Sequence, residues 1–175
     1  MRILNEGFKL FLTFNATSWM WVVYLIKGSH NFCGLSIWVL GVAYFMIPIL
    51  LSSVSLFFAK KFGQDELNGM LEFSLADNDF LPTYLGYFFV SLSVPSLVSM
   101  IFVYVIVFLF THLSQTQYFN PIFLMFGYHY YHVSTEQGTK VFIISKGKVI
   151  RNKRDFHFDN LKRINDTTYI EVKEN

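Results

Sequence analysis

Residues 119–133 read FNPIFLMFGYHYYHV, without a single Asp, Glu, Lys or Arg. The stretch is too apolar for a solvated loop. As a helix it would cover roughly 22 Å at 1.5 Å per residue, against a hydrocarbon core of about 30 Å. Whether it crosses a bilayer decides on which side the charged C-terminal region lies.

Composition points to a membrane. Of 175 residues, 53% are apolar and only 15% charged, where a soluble domain carries roughly 25% charged residues. Aromatics reach 19%, with 21 phenylalanines, an excess suited to acyl chains and interfaces. The single cysteine, Cys33, excludes an internal disulfide framework and any CxxC metal site. Arg2 and Lys9 before an apolar run resemble a signal peptide. No small-x-small cleavage site follows, and Trp19 and Trp21 fill the end of the run, so the reading is an uncleaved first span.

Four spans are expected. The first covers residues 8–26 and is the most polar, with Thr13, Asn15, Thr17 and Ser18 facing other helices. The second covers 35–59 and contains Pro48. The third covers 84–111, longer than the bilayer needs, so it tilts, kinks or protrudes. Ser91, Pro95 and Ser99 fall four apart along it, on one helix face where a neighbour can pack closely. Between the second and third, residues 62–81 carry Asp65, Glu66, Glu72, Asp77 and Asp79 beside an apolar side. This predicts a short amphipathic helix on the membrane surface with a solvated acidic face.

Charge topology arbitrates residues 119–133. If they cross, Arg2, Lys9, Lys60, Lys61 and the basic tail share one side, with only Lys27 opposite. The positive-inside rule favours that arrangement. The expectation is therefore a fourth span and two cytoplasmic termini. Asn120-Pro121 supplies its start, and Tyr128, Tyr130 and Tyr131 form an interfacial belt. The fold class is an α-helical membrane protein with a transmembrane domain over 1–133. A cytoplasmic, antiparallel, β-rich extension follows over 134–175. Strands are expected at 139–145, returning at Val149-Ile150, and at 167–173, with residues 130–135 a further candidate for extended chain.

Signatures of chemistry are absent. There is no GxSxG, HExxH, P-loop or GxGxxG, which argues against an enzyme and implies no cofactor. His129 and His132 are three apart, but without Cys or carboxylate neighbours in sequence they read as interfacial residues rather than metal ligands. The spans hold no Asp, Glu, Lys or Arg at membrane depth, where pumps and voltage sensors need such groups. The basic run Lys146, Lys148, Arg151, Lys153 and Arg154 belongs to a tail with nine basic and six acidic residues. Topology retention and anionic headgroups account for that surplus without direct nucleic-acid contact.

Two stretches resemble a known family. Phe80-Leu81-Pro82-Thr83-Tyr84-Leu85-Gly86-Tyr87-Phe88-Phe89-Val90 opens the third span; Asn120-Pro121, then Gly127-Tyr128 and Tyr131, mark the fourth. With four spans and a basic β-rich tail, the chain resembles the KwaA family, membrane subunits of two-component Kiwa anti-phage defence systems. The resemblance implies a homo-oligomer in the bacterial inner membrane that senses phage attack at the envelope. It also implies a cytosolic partner, a KwaB-like DNA-binding protein. On this reading the basic run docks the partner, and Asn120, Pro121, Gly127, Tyr128 and Tyr131 belong to a transmitter helix between bilayer and tail. The alternative is an oligomeric pore or membrane-stress protein that depolarises the cell.

Overall fold

A computed structural model describes residues 2–28, 36–59, 63, 70–114, 120–136, 138–147, 149, 158, 160–165 and 167–172. They form two compact units. The first comprises Met1–Val54 and Phe80–Asn120, the second Ser55–Asp79 and Pro121–Asn175.

The first unit is helical. Helix α1 (Arg2–Gly28) buries Phe8, Leu12, Ala16, Trp19 and Val22, a three-to-four-residue repeat that marks one helix face. Helix α2 (Ile37–Ala59) contains Pro48. It leaves Trp38, Val42, Phe45, Met46 and Leu50 exposed. Helices α3 (Leu81–Ser93) and α4 (Leu97–Ser114) follow. Two of these helices, α2 and α4, are long and apolar enough to cross a membrane.

Side-chain contacts fix how the helices run. Asn15 meets Ser52, and Trp19 meets Phe45, so α1 and α2 are antiparallel. Trp19 also meets Phe88, and the Lys27 ammonium reaches Leu92 O and Val94 O, so α3 runs parallel to α1. Thr13 lies against His112 and Trp21 against Tyr104, so α4 runs back.

The expected single span over 84–111 is therefore two helices. Pro95 has no N–H and disfavours helical backbone at the residue before it; Val94 is extended, with φ −68° and ψ 124°. Ser96 then restarts the chain as an N-cap, its Oγ accepting the Ser99 N–H at 3.2 Å.

The second unit is built on a five-stranded sheet of order β1-β2-β3-β5-β4. The strands are β1 (Met70–Leu75), β2 (Tyr128–Thr135), β3 (Lys140–Lys146), β4 (Leu161–Arg163) and β5 (Thr168–Glu171). On one face Tyr131, Val133, Val141, Ile143, Phe158, Leu161 and Tyr169 form the core, with Phe73 packed against it. On the other, Tyr130 stacks on Phe142. The interior of β3, from Val141 to Ser145, is buried on both faces, which is why it reads as a continuous apolar run.

Four expectations change here. Residues 119–133 are not a span. Helix α5 (Pro121–Met125) lasts five residues, Gly127 turns the chain at φ +77°, and β2 begins at Tyr128. Aromatic and β-branched residues suit a pleated surface, and β2 has a partner on each side, β1 and β3. Phe119 lies outside the described residues. Second, Met70–Leu75 is a strand, not part of a surface helix, because it pairs with β2. Third, the sheet starts before residue 134 and is mixed, since β3 pairs with β5 in parallel. Fourth, Val149 is in no strand; Ile150 lies outside the described residues. Strands do stand where 139–145 and 167–173 were expected.

Candidate functional site

Two polar constellations stand out, one in each unit. In the sheet unit, the turn after β1 is bound to β2 by four bonds. Ala76 N–H donates to Tyr130 O at 2.8 Å. Tyr130 N–H returns to Asp77 Oδ1 at 2.8 Å. Asp77 Oδ2 meets His129 Nδ1 at 2.7 Å, and Asp79 Oδ2 meets His132 Nε2 at 3.0 Å. The two carboxylates belong to the segment that leads into α3, and the imidazoles to the strand that follows α4. The arrangement is a buckle between the turn and β2; among the described residues no group of three or more His, Cys, Asp or Glu could hold an ion. The sequence reading gave these histidines no carboxylate neighbours and placed Asp77 and Asp79 on a solvated helix face. The β1–β2 pairing replaces the helix by a strand and turn and brings the carboxylates to histidines about fifty positions away, while Asp79 stays exposed, as expected of a solvated face.

Neighbouring groups extend this site. Tyr128 opens β2, its ring beside Phe123 and 5.7 Å from the Lys146 ammonium. Burial pushes its phenol above the ordinary tyrosine value, and the charge of Glu171 adds to the rise. Glu171 is itself buried and accepts the Ser145 hydroxyl.

In the helical unit, polar side chains of α1 turn inward. Thr13 and Thr17 satisfy themselves on the backbone one turn earlier, at Lys9 O and Thr13 O. Thr17 also meets the Tyr104 hydroxyl at 3.2 Å. Asn15 donates to Ser52 Oγ at 3.2 Å, and Asn120 donates to the same oxygen at 2.9 Å. Tyr87 and Thr111 join α3 to α4 at 2.9 Å. The Trp19 indole N–H is buried with no hydrogen-bond acceptor among the described residues; its ring meets Phe45 and Phe88 edge-on.

The residues singled out by sequence are dispersed. Of the basic run, Lys146 is exposed at the end of β3; Lys148, Arg151, Lys153 and Arg154 lie outside the described residues. Of the transmitter set, Asn120 is buried beside Ser52, Pro121 opens α5, Gly127 makes the turn, and Tyr128 begins β2. Tyr131 is 1% exposed in the sheet core, and Tyr130 is equally buried, so neither belongs to an interfacial belt. Ser91, Pro95 and Ser99 do not share one helix: Ser91 bonds back to Tyr87 O in α3, Pro95 sits in the break, and Ser99 is in α4. Ser52, Asp77 and Asp79 carried no sequence signal of a shared site, since their partners are remote in the chain.

The chain was compared with known proteins. A family model described as anti-phage protein KwaA matches residues 8–170. No curated protein and no solved structure matches.

Proposed function

This chain belongs to the KwaA anti-phage protein family, and from that premise we propose a non-enzymatic sensor and scaffold. It sits in the bacterial inner membrane as a homo-oligomer, detects phage attack at the envelope, and docks a cytosolic DNA-binding partner. The observation that carries the proposal is one of connectivity. Helix α2 runs on towards β1, β1 leads into α3, and α4 returns to α5 and β2. Three helices with exposed apolar surfaces are thus covalent neighbours of strands that pair with each other. A shift of those helices is felt at strand ends.

The β1–β2 ladder also supports a topology. Strands that pair must lie on one side of a bilayer, so the chain between them crosses an even number of times. In the proposed arrangement α3 and α4 are a hairpin, and α1 and α2 supply the other two crossings. Lys9 and Lys27 then mark the two interfaces of α1, roughly 27 Å apart at helical rise, close to a hydrocarbon core. The N-terminus, β1 and the tail share the cytoplasmic side, with Lys27 opposite, as the positive-inside rule favours. Residues 119–133 contribute no crossing, yet the count stays even.

The docking face proposed is the basic run from Lys146 onward, with Asn120 to Tyr131 as the transmitter. The test is capture of the cytosolic partner from solubilised membranes by the full chain and by the double variant Lys146→Glu, Lys148→Glu. Charge reversal on this surface should reduce capture by tenfold or more, about 1.4 kcal/mol. Undiminished capture by a normally assembled variant would remove the basic run from the interface. Deleting 134–175 is not a clean alternative, because it removes β3 and β5 from the sheet.

A further inference from the structure

We infer that the Ser52 hydroxyl is a three-way latch through which movement of α2 reaches the start of β2. This deepens the signalling reading above and rests on it. Ser52 Oγ has one proton and two lone pairs, and its neighbours use all three. It donates to Pro48 O at 2.7 Å and accepts Asn15 Nδ2 at 3.2 Å and Asn120 Nδ2 at 2.9 Å. All three polar side chains are buried, at 2% exposure or less. One atom therefore ties α1, α2 and the chain returning from α4.

The position of the latch gives it a role. Pro48 removes one backbone bond from α2, and Ser52 bonds back to the Pro48 carbonyl one turn later. Helices bend at such places. The half of α2 before the hinge is largely exposed, from Trp38 to Ile47, and is the part that responds to a change in surrounding lipid. On the other side of the latch, Asn120 is joined directly to Pro121, the first residue of α5. Phe123 of α5 lies against Tyr128 of β2. Bending of α2 at Pro48 displaces Ser52, Ser52 pulls Asn120, and Asn120 moves α5 and the first residues of β2. Ser52 is thus a positioning residue.

The experiment is amide hydrogen exchange on the full-length protein in lipid nanodiscs, read over the peptide covering residues 121–135. Ser52→Ala should raise exchange there about tenfold, the order expected when a buried acceptor shared by two amides is lost. Ser52→Thr keeps a hydroxyl and should restore it. Ser53→Ala is the control: its Oγ bonds only one turn back, to Ile49 O, on an exposed face. If Ser52→Ala does not accumulate, Asn120→Ala removes the amide that donates to Ser52 Oγ and should give the same rise. Wild-type exchange over 121–135 in these variants overturns the latch, as does a uniform rise across α1, α3 and α4, which marks general loosening. Plaque assays on the same variants separate the two readings. Exchange that responds while protection stays complete leaves the latch standing and removes the signalling role.

Discussion

Tyr128 ties acid–base chemistry to the start of β2. Its phenol is held above the ordinary tyrosine value by burial and then by Glu171. The unfolded chain ionises first, near pH 10. The contribution of Tyr128 to stability is therefore complete below pH about 10 and is lost as pH rises through its folded value. Tyr128→Phe should show a shallower loss of stability above pH about 10 than the wild type, read by chemical unfolding at stepped pH. Asp77 makes a second prediction at this scale. Its two oxygens accept Tyr130 N–H and face His129. Asp77→Ala should cost about 1–3 kcal/mol, seen as a lower thermal midpoint, and Asp77→Asn should cost less because one acceptor remains. Trp19 is the converse case. Its indole N–H is buried without an acceptor among the described residues, so Trp19→Phe should melt at or above the wild-type temperature.

At the scale of elements, the hairpin of α3 and α4 depends on three side chains. Pro95 stops one helix, Ser96 caps the next, and Lys27 supplies donors to Leu92 O and Val94 O near the end of α3. Helix C-termini leave carbonyls without intrahelical partners, and a cation there also suits the helix dipole. Lys27→Met should lower the thermal midpoint, with about 1 kcal/mol lost, and Lys27→Arg should recover most of it. Proline followed by serine was a readable stop and start signal. The sequence reading instead took Pro95 as part of a packing face on one uncharged span over 84–111. Strand β2 was less readable. Isolated, an aromatic run after Asn-Pro fits a short helix as well as a strand; its pairing with β1 and β3 decides between them.

For the whole molecule, the proposed arrangement makes a prediction that the earlier four-span reading shares only in part. Reporters at the N-terminus, just before β1 and at the C-terminus should lie in the cytosol. Reporters between α1 and α2 and at Pro95 should lie outside. A span over 84–111 would instead put residues 112–118 outside, whereas a hairpin puts them in the cytosol. A reporter at residue 116 therefore separates the two. Cytosolic signal there, with external signal at Pro95, supports the hairpin.

Composition and charge placement were enough to indicate an apolar helical body and a β-rich end, while the resemblance to the anti-phage family rested on particular residues, Phe80 to Val90, Asn120-Pro121, Gly127-Tyr128 and Tyr131. These are properties of local pattern: helix-length apolar runs, strand-length alternation, and punctuating residues read one after another. Which apolar runs are helices and which are strands was settled by pairing. Residues 128–133 became β2 because Met70–Leu75 and Lys140–Lys146 satisfy its backbone from both sides. The buckle of Asp77 with His129, and the meeting of Asn15, Ser52 and Asn120, were likewise invisible before folding. Each joins residues tens of positions apart, and a hydrogen bond depends on separation in space, which the order of residues does not specify.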